Sequence, residues 1–129
     1  MDARSAARRW QDVWARAWPA KDAEAIDALY TRDATYRSHP FRDPEPSPRS
    51  YVERMFAEED EIECRFGEPI VSGERAAVEW WGTWREAGEK VTLAGTTVLR
   101  FRPDGLVAEH LDYWVQVDGR RELPAGWGG

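Results

Sequence analysis

The stretch RAAVEWWGTWREAGEKVTLAGTTVLRFRPDGLVAEHLDYWVQV, residues 75–117, decides the fold. Three runs rich in β-branched and aromatic residues, at 75–86, 90–102 and 106–117, are divided by Ala87-Gly88 and Pro103-Asp104-Gly105, both hairpin-turn sequences. The spacing predicts an antiparallel meander. With Ala87-Gly88 as a two-residue turn, Glu86 pairs with Glu89 and Glu79 falls opposite Thr96. With Pro103-Asp104-Gly105 as a three-residue loop, Arg102 pairs with Leu106 and Thr96 falls opposite Asp112. Glu79, Thr96 and Asp112 are then expected in one row across three strands, roughly 10 Å between the outer Cα atoms. Alternation adds Ala77, Trp81, Thr83, Ala94, Val98, Ala108, His110 and Trp114 to that face. The other face collects Val78, Trp80, Trp84, Val91, Leu93, Leu99, Phe101, Val107, Leu111, Tyr113 and Val115. Two arrangements stay open. Helices cover the polar-dotted face and leave the apolar one to a second subunit, or they cover the apolar face and leave Glu79 in solvent.

The helices lie upstream. Trp10, Val13, Trp14, Ala17 and Trp18 fall on one helical face from Ser5 to Ala17, and Pro19 closes the run. Asp22 caps a short second helix with Ala25, Ile26, Ala28 and Leu29 inside, and 33–36 reads as a brief strand. Four prolines make 38–47 a rigid loop, and Ser47-Pro48 opens a third helix, to about Glu59, with Tyr51, Val52, Met55 and Phe56 facing inward. The acidic run Glu58 to Glu63 reads as a solvated helix end, with a further strand at 62–71. An irregular strap at about 118–129 is pinned by Trp127. The chain is expected to form one domain over 1–129.

Of 129 residues, 42% are hydrophobic and 33% charged, a globular balance, and eight are tryptophan, a surplus for so short a chain. A net charge of −6 argues against nucleic acid as a partner, because phosphate contacts need a basic face. No stretch is long and apolar enough for a membrane span. The single Cys64 excludes a disulfide scaffold and fits a cytoplasmic protein. Two histidines without carboxylate spacing give no metal site, and no phosphate loop or nucleophile elbow occurs, so cofactor-independent chemistry is expected.

Asp112 is the strongest catalytic candidate: a carboxylate on a strand among apolar neighbours must be hydrogen-bonded or neutralised, either in a structural network or at a working acid/base site. Glu79 in the same cavity would push at least one carboxyl upward in pKa, leaving an acid and a base near neutral pH. His110 projects from the face of Asp112, and His39, held by Pro40, stands as a loop base or a surface residue. Tyr36 is a candidate donor to an oxyanion, or simply ends a strand. Trp14 and Trp18, with Trp10 in the same helical stripe, read as core packing, as pocket lining or as both, and Trp81 and Trp114, with Thr96, are expected to line the pocket from the sheet. Trp80 and Trp84, on the other face, are expected at a homodimer surface.

A helical hairpin, then Asp33-Ala-Thr-Tyr-Arg-Ser-His-Pro-Phe-Arg-Asp43, a third helix, and a meander closing on Gly105-Leu-Val-Ala-Glu-His-Leu-Asp-Tyr-Trp114, together resemble the nuclear transport factor 2-like superfamily in its SnoaL-like branch. That branch holds polyketide cyclases, ketosteroid isomerases, scytalone dehydratase and limonene-epoxide hydrolase. The resemblance implies a cone-shaped α+β fold, three helices packed in a strongly curved antiparallel sheet around an internal pocket, and it favours the row Glu79, Thr96, Asp112 as pocket-facing. It also implies acid/base chemistry, isomerisation, cyclisation, dehydration or hydrolysis, on a small apolar cyclic or aromatic substrate. A non-catalytic ligand-binding or dimerisation module of the same fold is the alternative. Within the limonene-epoxide hydrolase pattern, Asp112 takes the place of a catalytic carboxylate, and Tyr36 and Ser38 take those of the water-holding tyrosine and asparagine. The paired arginine and aspartate positions of that family read Glu79 and Trp81 here, which breaks its central acid pair. The ketosteroid isomerase base finds its nearest counterpart in His39 before Pro40, one residue out of register.

Overall fold

The computed structural model describes all of residues 1–129. Helix α1 spans Ala3–Ala20, α2 Ala23–Asp27 and α3 Pro48–Glu58; the strands are β1 Tyr30–Arg37, β2 Glu59–Phe66, β3 Ile70–Ser72, β4 Arg75–Glu86, β5 Glu89–Phe101 and β6 Val107–Asp118. Each helix starts where a capping side chain meets an orphan amide: Asp2 accepts from Ser5 N–H, Asp22 from Ala25 N–H and Ser47 from Ser50 N–H. Pro19 lies inside the last turn of α1 rather than ending it. It cannot donate to the carbonyl four residues back, Ala15, and that oxygen instead receives the Cys64 thiol at 3.9 Å.

The sheet runs β1-β6-β5-β4-β2, with β3 also pairing to β4. The β2 to β6 ladders are antiparallel, and β1 adds to β6 in parallel, so the sheet is mixed and is α+β with its three helices. Helix α1 packs on β2, β3, β4 and β5, and α3 on β1 and β2. The core lies between these helices and one sheet face, and holds Trp10, Trp14, Trp18, Trp80 and Trp84.

The β4–β5 hairpin has the register expected from its turn, Glu86 opposite Glu89 and Glu79 opposite Thr96, with Ala87 and Gly88 both at positive φ. The next turn also forms as expected: Arg102 N–H donates to Leu106 O at 2.9 Å, and Gly105 adopts φ +86. Then the ladder slips. Phe101 pairs with Val107 but Arg100 pairs with Glu109, so Ala108 is an extra residue, a β-bulge. A one-residue slip moves every later side chain to the other face. Thr96 therefore faces Tyr113, and Asp112 lies opposite Thr97.

Three expectations are corrected, the first of them by this bulge. Glu79, Thr96 and Asp112 do not form one row: Glu79 is exposed on the outer face with Thr96, and Asp112 points inward with His110 and Trp114. The helices cover the apolar face of β4 and β5, so Trp80 and Trp84, 6% and 2% exposed, are core residues rather than a dimer surface. Trp81 stands on the outer face instead of the pocket; its indole N–H donates to Arg121 O at 3.0 Å, and its ring meets Trp127 edge-on at 6.4 Å. Trp127 thus holds the strap, which Glu68 N–H further ties through Gly128 O.

Candidate active site

Between helices and sheet lies a cavity of about 450 Å³. Its walls are aromatic: Trp10, Trp14 and Trp18 from α1, Trp80 and Trp84 from β4, Trp114 from β6, with Tyr36, Tyr51 and Phe66. Its rim is charged, with Arg42 and Glu45 from the proline-rich loop, Arg54 and Glu58 from α3, and Glu86 and Gln116 from the sheet.

Asp112, 8% exposed, is held by two donors at one oxygen. The Thr97 hydroxyl donates to Oδ1 at 2.6 Å, and His110 Nε2 lies 2.8 Å from the same atom. Thr97 is free to donate because its own oxygen accepts the Trp80 indole N–H at 2.9 Å.

The hydrogen-bond inventory fixes the histidine tautomer. Tyr30 Oη accepts indole N–H groups from Trp10 at 3.0 Å and Trp14 at 3.3 Å, which fills both lone pairs. Its one proton is therefore directed at His110 Nδ1, 2.8 Å away. Nδ1 is thus an acceptor, and Nε2–H donates to Asp112. Every proton in the chain from Trp10 and Trp14 through Tyr30 and His110 points toward the carboxylate. Asp112 Oδ2 receives none of these bonds, and the residue lines the cavity.

Strand pairing places Tyr36 beside His110, and the two rings stack at 3.8 Å with 16° between planes. Burial, reinforced by the Asp112 charge, pushes the Tyr36 phenol well above its ordinary pKa, so it stays a donor. No protein group takes its hydroxyl.

The expected site divides accordingly. Asp112, His110, Tyr36, Trp14, Trp18 and Trp114 meet at the cavity. Glu79, Thr96 and His39 line a shallow groove on the opposite sheet face, where His39 Nδ1 accepts Phe41 N–H at 3.2 Å and its ring abuts Trp114 edge-on. Ser38 is buried behind the wall: its carbonyl accepts the Trp114 indole N–H at 2.6 Å, and its hydroxyl bridges Arg42 and Glu45. Tyr30, Thr97 and Glu59 were absent from the sequence-based set. Glu59 corrects the reading of a solvated acidic run: it is 3% exposed, lines the cavity, and accepts the Trp18 indole N–H at 2.8 Å. Burial pushes its carboxyl up to about 8, with the nearby Glu86 charge acting in the same direction. Glu59 is the first residue of β2, paired with Glu86, and it is this strand start rather than a helical face that turns it inward.

The family model for the SnoaL-like domain matches residues 7–110, and the chain belongs to that family. No curated protein matches the sequence. Among solved structures, an epoxide hydrolase of the LEH-like type from M. tuberculosis superposes with a TM-score of 0.71 at 17% identity, covering 86% of this chain and 84% of the other. RV0760c from M. tuberculosis gives 0.77 at 16% identity, covering 92% and 100%. A hypothetical protein with a ketosteroid isomerase-like fold from Catenulispora acidiphila gives 0.70 at 19%, covering 80% and 82%. These likenesses establish the fold, an NTF2-like cone, and the chemistry must be argued from the residues.

Proposed function

We propose that this chain is a cofactor-independent enzyme in which Asp112 acts as general base on a small apolar cyclic or aromatic substrate. One observation carries the reading: a carboxylate whose Oδ1 is fixed by Thr97 and His110 belongs to the wall of an aromatic cavity and keeps Oδ2 unpaired. Two donors on one oxygen hold the carboxylate against rotation, so Oδ2 meets the substrate in a set orientation. Removal of a proton by Oδ2, from carbon or from a water, leaves Asp112 protonated and able to return that proton at another atom. Tyr36 donates to the substrate oxygen on which negative charge develops. Isomerisation, cyclisation, dehydration and hydrolysis all fit this pair, and the names of the structural neighbours, epoxide hydrolase and ketosteroid isomerase-like, lie in the same range.

His110 orients Asp112, rather than carrying the substrate proton, because both its nitrogens are engaged. The exposed side chains of Tyr113, Val115 and Val117 support a homodimer through the outer sheet face. The lone cysteine supports a cytoplasmic setting; no helix is long and apolar enough to cross a membrane. The test is a turnover screen of cyclic ketones, enones and epoxides with wild type and Asp112→Asn. Turnover lost in the variant supports the assignment, and turnover kept at the wild-type rate overturns it.

A further inference from the structure

The cavity has a second carboxyl group that the proposed chemistry does not use. Asp112 lies on the strand row of Thr97 and Val78, whereas Glu59 lies on the row of Glu86. Val78 and Glu86 are eight residues apart along β4, but the Asp112 and Glu59 side chains both reach into the same cavity, and Tyr51 feels the charge of Asp112 and of Glu59 alike. The two carboxyls therefore belong to different ends of one aromatic chamber, with the Trp18 and Trp80 rings, 5.9 Å apart, among the walls that connect them.

At that second end, Trp18 and Trp84 pack at 5.3 Å and each gives its indole N–H to a carboxylate, Trp18 to Glu59 and Trp84 to Glu86, both at 2.8 Å. Glu86 is half-exposed at the rim, but Glu59 is buried and none of its bonds is to a cation. Lys21, the nearest ammonium in charge influence, is engaged with Asp60 at 3.3 Å. The remaining groups that act on Glu59 or feel its charge are Glu58 and Tyr51 from α3, Glu86 from β4 and Cys64 from β2, and none supplies a positive charge. A buried carboxyl without a cation is costly when ionised, so the proton it retains on Oε2 needs an acceptor.

We propose that Glu59 is a second substrate-binding group, donating a hydrogen bond from Oε2 to an acceptor oxygen at the end of an elongated apolar substrate remote from the atom that Asp112 attacks. The inference rests on the acid/base reading for the chemistry at Asp112. It adds that the substrate carries oxygen functions at both ends, a carbonyl, ether or hydroxyl at the Glu59 end, across an apolar middle. A substrate with an amine at that end is not expected to need a protonated carboxyl. Burial pushes the carboxyl up to about 8, which keeps the donor in place at neutral pH.

The test uses two probes of one shape: bicyclohexyl-4,4′-dione, with a carbonyl at each end, and 4-cyclohexylcyclohexanone, with one. Affinities are read from indole fluorescence at pH 7 and pH 9.5. In wild type the dione should bind about tenfold tighter at pH 7, the scale of one net buried hydrogen bond, and lose that margin at pH 9.5. Glu59→Gln keeps an N–H donor and should retain the margin at both pH values, and Glu59→Leu should abolish it at both. Equal affinity for the two probes in wild type at pH 7, including no measurable binding of either, overturns the proposal. So does a margin that survives in Glu59→Leu. Solvent deuterium exchange into the dione, followed in the same samples, separates the two readings: a Glu59-dependent margin with no Asp112-dependent exchange supports this contact and defeats the general-base assignment.

Discussion

The hydroxyl of Thr97 lies 2.6 Å from Asp112 Oδ1, across the β5–β6 ladder. An uninterrupted hairpin would have put Thr96 there and turned Asp112 to the outer face. The inserted Ala108 sends Asp112 inward, where Thr97 and His110 satisfy a carboxylate that apolar walls would otherwise expel. The bulge is thus the step in the fold that creates the site.

Tyr30→Phe removes one hydroxyl and leaves the Trp10 and Trp14 indole N–H groups and His110 Nδ1 without a partner. A loss of about 1–3 kcal/mol is expected in urea unfolding, the cost of an orphaned buried polar group. Nitrogen NMR of wild type should show Nδ1 of His110 unprotonated. An Nδ1–H tautomer would contradict the proton order derived for the chain.

Glu79→Gln should leave both folding and ligand affinity unchanged, within about 0.5 kcal/mol in stability, because Glu79 is exposed on the outer face. A large loss of affinity or turnover would show that this face communicates with the chemistry.

Gly95→Ala should destabilise by about 1–3 kcal/mol, the usual cost of overpacking. An added Cβ would stand 2.6 Å from the Trp80 ring, 2.8 Å from Tyr113 O and 2.9 Å from Trp114 Cβ, so two cavity walls and a backbone carbonyl resist it. Thermal denaturation that matches wild type would show the sheet yielding there.

Glu59 should make stability depend on pH with a definite sign. Its carboxyl titrates near 4.5 when free and about 8 when folded, so between those values the folded chain holds a proton that the unfolded chain releases. The stabilisation from proton retention is complete below pH 4.5 and is lost as pH rises through 8. Glu59→Gln should flatten that decline in melting temperatures taken at pH 5, 7 and 9. Parallel curves for the two proteins would contradict the buried, protonated state.

Much of the scaffold was legible because turns carry their own chemistry. Ala87-Gly88 fixed the long β4–β5 register, and Ser47-Pro48 fixed the start of α3. The bulge was not legible: Ala108 has no turn signature, and alternation alone would have favoured Leu111, Tyr113 and Val115 inside. Those residues face outward, and Tyr113 and Val115 are exposed, so apolar patterning was overruled on β6 by the satisfaction of His110 and Asp112. Asp112 and His110 are legible from their chemistry, and Tyr36 from the family resemblance together with the need of a buried phenol for a partner. Thr97 was hidden by the misplaced register and Tyr30 by its ordinary aromatic appearance, and Glu59 was obscured by acidic neighbours that are exposed.

The most direct measurement is solvent deuterium exchange at the α-carbons of bicyclohexyl-4,4′-dione, followed by proton NMR at pH 7 with wild type and Asp112→Asn. Asparagine can still accept from Thr97 and His110, so the variant should fold with a melting temperature close to wild type. The expected result is exchange accelerated above buffer by wild type and reduced to the buffer rate in the folded variant. Exchange at the same rate in both proteins, or no acceleration by wild type, would contradict the assignment of Asp112 as general base.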